Sequence, residues 1–348
     1  MLRKELRMQK VLEDDDCGCW VEPDDSYISL VGPPGAFGLG PNEEEWEYEA
    51  DWGAAMLVDV ASAAIPINEP GVANPWSFDL YGAEYDFFHI NSNGQISFGG
   101  YVLDWNPVGF PAAGYNQIAG YWADTDLRGI GEIKYKVTPQ AVYVNYIDVG
   151  YYNNKSDKTN SFQIILTDPS TGILPEGSNA QVCYLEMGWA HGDFDGGSNG
   201  CCGNTPGITG ADGEDTDDDV LQSPHVQFGR FNLLNDTYNG PYGAGPDDQD
   251  GVYWLNNKKF NINTAQDINN LNPVATANLG CDTVRLCLGQ EYSLDINFLG
   301  PEPQQTVSLV VEENIAGNTI LNASQSEGEQ AFYTGTFVAN EPGISTIA

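Results

Sequence analysis

The sequence predicts an all-β protein: an antiparallel β-sandwich followed by an immunoglobulin-like β-sandwich module that is incomplete at its end. Three observations carry this. Short runs rich in Val, Ile, Tyr and Phe recur along the 348 residues, and turn residues separate them, with 40 Gly and 20 Pro in the chain. Two of the runs, IKYKV and VYVNYI, alternate apolar and polar side chains, the period of a strand with one buried face. No convincing amphipathic helix of any length appears.

In chain order, residues 1–12 are basic, and no apolar segment of a secretory leader follows them. They read as non-native or mis-assigned. Residues 13–75 are acidic and expected to pack on the main domain, with the Gly- and Pro-rich 13–59 as irregular strands and loops partly ordered by Trp20, Trp46 and Trp52. That domain spans 76–263 and opens with WSFDLYG, YDFFHI and QISFGG. Between the last two, Asn91-Ser92-Asn93-Gly94 contains the Asn-Gly pair that favours the positive-φ turn of a tight hairpin. NQIAGYWADTDL, GEIKYKVT, AVYVNYIDVGYY, SFQIILTD and AQVCYLEMGWA continue the series. A long loop follows over 192–219, and strands resume at VQFGRF and GVYWLNNKKFNIN. Residues 264–280 read as a linker, and 281–348 as the second module, truncated.

A hydrophobic content of 41% is enough for a packed core. The net charge is −37, and no Lys or Arg lies between Val11 and Leu127. Such a surface repels phosphate backbones and anionic membranes, which excludes nucleic acid as a partner. It attracts hard divalent cations, so calcium is the one cofactor the charge suggests. No apolar run reaches the length of a membrane span.

The seven cysteines lie at 17, 19, 183, 201, 202, 281 and 287, without zinc-site spacing. Cys281 and Cys287 flank the strand DTVRL and are candidates for one bridge; Cys183 is a candidate partner for Cys201 or Cys202. Cys17 and Cys19 are too close for an easy mutual bridge. The set favours an oxidising, extracellular setting.

WADTDLRG raises the question of chemistry. On a strand, Trp122, Asp124, Asp126 and Arg128 share one face. Two carboxyls at that spacing can stand about 7 Å apart, within the range of glycoside hydrolysis. Arg128 on the same face argues instead for a bidentate clasp that keeps both acids ionised, whereas a general acid needs the opposite shift. The favoured reading is a structural clasp.

In the 192–219 loop, Asp193, Asp195, Asn199, Asp212, Asp215 and Asp217 are candidate calcium ligands, although no EF-hand spacing fits. His89, His191 and His225 are the three histidines, and no Gly-x-Ser-x-Gly elbow supports a hydrolase triad. Tyr151 and Tyr152 beside Lys155 and Lys158 form a candidate contact surface, of the kind that suits protein or sugar recognition.

INSNGQISFGG, FPAAGYNQIAGYWADTDLRG, IKYKV, YIDVGYYNNKSDKTNSFQIILTD and GWAHGDFDGGSNG, in that order, resemble the nidogen-like extracellular (NIDO) domain. The likeness runs from Trp76 to Asn263, and the family's recurring motif lands on Asn93, Gly94, Ile96, Phe98, Trp122, Asp124, Asp126 and Arg128. The Cys201–Cys202 pair and the acidic run after it depart from the family pattern. Fainter likeness in CGCWVEPDDS and over Cys281–Leu299 resembles modular bacterial surface adhesins exported by the type IX pathway. The resemblance implies a secreted, non-catalytic module for adhesion or cell–matrix contact, or a segment of a surface filament. Its partner would be an extracellular protein or glycan. The alternative is a calcium-dependent carbohydrate-binding or hydrolytic module.

Overall fold

Tyr146, Phe162 and Tyr184 sit side by side on three neighbouring strands, and the burial of this row sets the architecture. The strands are Ala141–Tyr151, Lys155–Thr167 and Ala180–Met187, all antiparallel. Tyr146 and Phe162 stack with centroids 4.5 Å apart. The three rings pack onto the middle of a second layer. There Gly120 leaves the room they need, because a Cβ at this position would lie 2.8 Å from the Phe162 ring. The buried tyrosine hydroxyls donate to main-chain carbonyls across the layers: Tyr184 to Gly120 at 2.7 Å, Tyr146 to Asn91 at 2.7 Å.

The structure, a computed structural model, describes residues 19–31, 43–47, 59–213 (except 113 and 176), 224–265 (except 236–237, 239 and 241–249) and 274–347 (except 278–285, 300–305, 312, 316 and 329). Residues 1–12 and Cys17 lie outside it, as does most of the proposed 264–280 linker. One layer runs Ile28–Val31, Glu132–Val137, Ala141–Tyr151, Lys155–Thr167, Ala180–Met187, Lys259–Ile262. The facing layer runs Asp250–Gly251, His225–Leu233, Gly207–Asp212, Gln117–Trp122, Gln95–Ser97, Phe87–Asn91, Ala61–Ser62. Strand Glu43–Glu47 joins the two edges, parallel to Ile28–Val31 and antiparallel to Ala61–Ser62. The main domain is therefore an antiparallel sandwich, the fold class the sequence predicts, and it is closed along one side. Towards the C-terminus a separate four-stranded antiparallel sheet runs Val274–Ala277, Glu291–Leu299, Gln330–Val338, Thr319–Ser326.

Two local features differ from the sequence reading. GVYWLNNKKFNIN is not one strand: Val252–Leu255 forms a 3-10 turn and the strand begins at Lys259. Trp254 leaves the ladder to stack on Tyr238, centroids 3.7 Å apart, and the turn lets it do so. The N-terminal segment also does more than lie on the domain. Asn145 and Gln163 are cross-strand partners on the outer face, and both amides donate to the Val21 carbonyl while Gln163 Oε1 accepts the Val21 N–H. Residues 19–21 thus cover two buried amides and add to the one hydrogen bond they share, from Gln163 Nε2 to Asn145 Oδ1 at 2.9 Å.

The disulfide Cys19–Cys183 fastens this strap one strand further on. Cys183 is therefore not the partner of Cys201 or Cys202. Those two adjacent residues bond each other. Nor does Cys287 bridge: it opens a tight turn closed by Gln290 N–H on its carbonyl, and its thiol is free and exposed. Cys281 lies outside the described residues. The Cys19–Cys183 bridge spans 164 residues. Cys19→Ser is expected to cost about 3–5 kcal/mol, or about 10 °C in Tm. A loss under about 2 °C in a thermal melt would show that the strap holds without its bridge.

Candidate functional site: the node of Asn93, Asp124 and Arg128

The hairpin after Phe87–Asn91 pairs Asn91 with Gln95, so its loop is Ser92-Asn93-Gly94, with Gly94 at φ +91. The turn tip reaches the neighbouring strand. The Gly94 carbonyl accepts from the N–H groups of Gly120 and Tyr121 at 3.0 and 3.1 Å. Asn93 is buried, and its main-chain carbonyl and both ends of its side-chain amide are bonded here. Its carbonyl accepts from Ala123 N–H (3.1 Å), its Oδ1 from Thr125 N–H (3.1 Å), and its Nδ2 donates to Asp59 Oδ1 (2.7 Å).

WADTDLRG is not one strand. Gln117–Trp122 ladders in one layer, while Thr125–Asp126 pairs with Gly150 and Tyr151 of the other. The chain crosses between layers at Ala123–Asp124, where Thr125 N–H turns back onto the Ala123 carbonyl at 2.8 Å. The alternation that would put Trp122, Asp124, Asp126 and Arg128 on one face is broken there. The crossover is still fastened at Asn93, which bonds the main chain of Ala123 and Thr125 on either side of Asp124. The Trp122 indole is buried and donates to the Asp104 carbonyl at 2.7 Å.

The two aspartates have opposite fates. Asp126 is 0% exposed and receives four donors. Arg128 Nε (2.9 Å) and Nη2 form a bidentate pair, and the N–H groups of Arg128 (3.0 Å) and Asn154 (2.6 Å) add to it. Asp124 is 7% exposed, and its Oδ1 has no hydrogen-bond partner among the described residues. Burial, and then the charges of Asp59 and Asp126, push its carboxyl up to about 8 against the opposing pull of Arg128. Asp59 is pushed up to about 6, chiefly by burial, although the Asn93 hydrogen bond opposes the shift. The expectation that Arg128 keeps both acids ionised is thus corrected. Arg128 serves Asp126, and Asp124 is left to its proton. With Asp126 saturated by donors, Asp124 and Asp126 are not a free carboxylate pair.

The other candidates fall into place around this node. Tyr151 is not displayed: it is 1% exposed, packs on Trp189 and donates its hydroxyl to Asp157 at 2.8 Å. Tyr152 is half-buried and lies under the Arg128 guanidinium. Lys155 pairs with Asp193 at 3.0 Å; Lys158 donates to the Asn199 carbonyl at 2.7 Å. Sequence reasoning missed Phe194, 46% exposed, which stands edge-on to Trp105 (4.6 Å) and Tyr152 (6.0 Å). An aromatic in a loop of Asp and Gly, GDFDGG, was the available signal.

Among the described residues, the loop set expected to hold calcium does not converge. Asp195 Oδ1 accepts from Asn204 at 3.1 Å, while Asp193 faces Lys155. Asp212 is buried opposite Gln117, the far end of the strand that ends at Trp122, and accepts from Ala112 N–H. Five residues of strand put it about 17 Å from that end. Asp215 and Asp217 lie outside the described residues.

Beneath this loop, His191 is 3% exposed, and a Cβ on Gly203 would lie 2.2–2.5 Å from its ring. Nδ1 contacts the Gly192 carbonyl at 2.6 Å, while Nε2 accepts the Thr205 N–H at 3.4 Å, which assigns the proton to Nδ1. Burial holds its pKa below the ordinary 6.5. Below about that pH the unfolded chain gains a proton that the folded chain refuses, so stability falls as pH drops. The loss of Tm between pH 7.5 and 5.5 is expected to be smaller in His191→Gln than in the parent. Equal losses would count against a neutral, buried imidazole.

No helix among the described residues is long and apolar enough to cross a membrane. No solved structure matches the chain. A family does: residues 59–219 match the one described as NIDO related. The matched stretch begins before Trp76 and stops short of the strands His225–Leu233 and Lys259–Ile262, which complete the two layers. It contains every residue of the Asn93 node, and over this stretch the chain is similar to the NIDO-related family.

Proposed function

We propose that the chain is an extracellular adhesion module that contacts an extracellular protein or glycan from within a larger surface protein or filament, and that it is not an enzyme. The observation that carries this is the NIDO-related match over 59–219, a family of non-catalytic modules typically found outside the cell. The Cys19–Cys183 bridge suits an oxidising exterior. In this reading the contact patch is Phe194 with Trp105 and Tyr152, rigid aromatics on a braced loop. Single contacts of this kind are weak and gain strength by repetition.

Beads carrying many copies of the chain are expected to hold to matrix-coated surfaces through washing, while single copies do not. Phe194→Ser should cut retention about tenfold with little change in Tm. Retention no better than that of an unrelated protein of equal negative charge would end the reading. One observation favours the hydrolytic alternative, namely the raised Asp124 carboxyl. Turnover of a glycan that Asp124→Asn abolishes would put that alternative in its place.

A further inference from the structure

We propose that Asp59 and Asp124 form a divalent-cation site, with calcium as its ion. Three independent features point there. Asp124 is more than nine-tenths buried, its Oδ1 lacks any partner among the described residues, and its main-chain carbonyl is fixed by the Tyr152 N–H at 3.0 Å. Buried polar atoms nearly always have partners, and a bound ion is one of the few things that explains an orphan. Second, Asp124 feels the charges of Asp59 and Asp126, and the neighbouring cation, Arg128, is committed to Asp126 by a bidentate pair. Third, Asp59 is held at the rim by one hydrogen bond from Asn93, which leaves most of its acceptor capacity unused. It is half-buried, so ion and water have a way in.

The chemistry selects calcium. Among the described residues no three acidic, histidine or cysteine side chains converge in a group that could hold a metal. A site of two carboxylates must therefore complete its shell with main-chain carbonyls and water. Calcium tolerates that irregular set of six to eight oxygens, magnesium demands a near-ideal octahedron, and zinc wants nitrogen or sulfur. With only two charged ligands the affinity belongs in the range of extracellular modules, a Kd of about 10⁻⁴–10⁻³ M. Its two carboxylates lie outside the 192–219 loop, although Gly192 at the head of that loop approaches Asp124, where an added Cβ would lie 3.2 Å from Oδ2.

The test uses the full chain, freed of metal by a chelator. Terbium, excited through tryptophan, is expected to give saturable emission that calcium displaces and magnesium displaces at least about tenfold less well. Calcium at about ten times its Kd should raise Tm by several degrees. Asp124→Asn and Asp59→Asn should each weaken binding at least about tenfold, while Asp157→Asn, an exposed acid, leaves it unchanged. Absence of saturable binding overturns the proposal. So does equal binding by Asp124→Asn and Asp59→Asn, which would mean ions spread over the acidic surface. If Asp124→Asn fails to fold, Asp59→Asn at the rim decides alone. No adhesion partner enters the measurement, so its outcome is separate from that of the adhesion reading.

Discussion

Gly94→Ala is expected to abolish or nearly abolish folding at 37 °C. Gly94 holds φ +91, and a Cβ there would lie 1.9 Å from the Tyr121 carbonyl oxygen and 2.7 Å from its carbon. The obstacle is main chain in the centre of a sheet, not the movable end of a side chain. Relief would mean prising the turn away from Gly120 and Tyr121 and losing both hydrogen bonds to the Gly94 carbonyl. The left-handed conformation costs about 1–2 kcal/mol, and the overpacking about 3 kcal/mol or more. Together these imply a fall in Tm beyond about 10 °C. Gly71→Ala is the control. Gly71 has φ +88, and a Cβ added there would meet nothing within 4 Å, so it carries the conformational cost alone. If a thermal melt by circular dichroism finds Gly94→Ala no worse than Gly71→Ala, the close approach to Tyr121 is not what requires glycine.

The second large effect is expected for Arg128→Ala. Asp126 is fully buried, and removing its guanidinium leaves a carboxylate away from water with two main-chain N–H donors. Breaking a buried pair in this way costs about 3–5 kcal/mol. The remaining donors and the partial exposure of Arg128 place this case near 3 kcal/mol, roughly 6–12 °C in Tm. A double-mutant cycle with Asp126→Asn should return a coupling above about 1.5 kcal/mol. Moderate salt should change it little, because a buried pair is poorly screened. A cost under about 1 kcal/mol that salt erases would make the pair an ordinary surface contact.

Much of this was legible in the chain. The period of IKYKV and VYVNYI dictated strands with one buried face, and the Asn-Gly pair dictated a positive-φ turn after Phe87–Asn91. Local chemistry suffices for such features, since neighbours a few residues apart decide them. The Arg128–Asp126 pair was equally within reach, two residues apart in sequence.

The rest depended on contacts that no local pattern encodes. Asp124 and Asp126 look alike in WADTD. Only the crossover between layers, pinned by Asn93 from about 30 residues away, gives one of them four donors and strands the other. Cys183 found Cys19 because the strap over Asn145 and Gln163 carries Cys19 there. Tyr151 turned inward because Trp189 lies beneath it. Sequence by itself determined the strands, the turn and the acidity of this protein, because these follow from residue type and period. Tertiary structure alone decided which carboxyl is paired, which cysteines meet and which aromatics face water, because burial and charge proximity are properties of segments brought together across the sandwich.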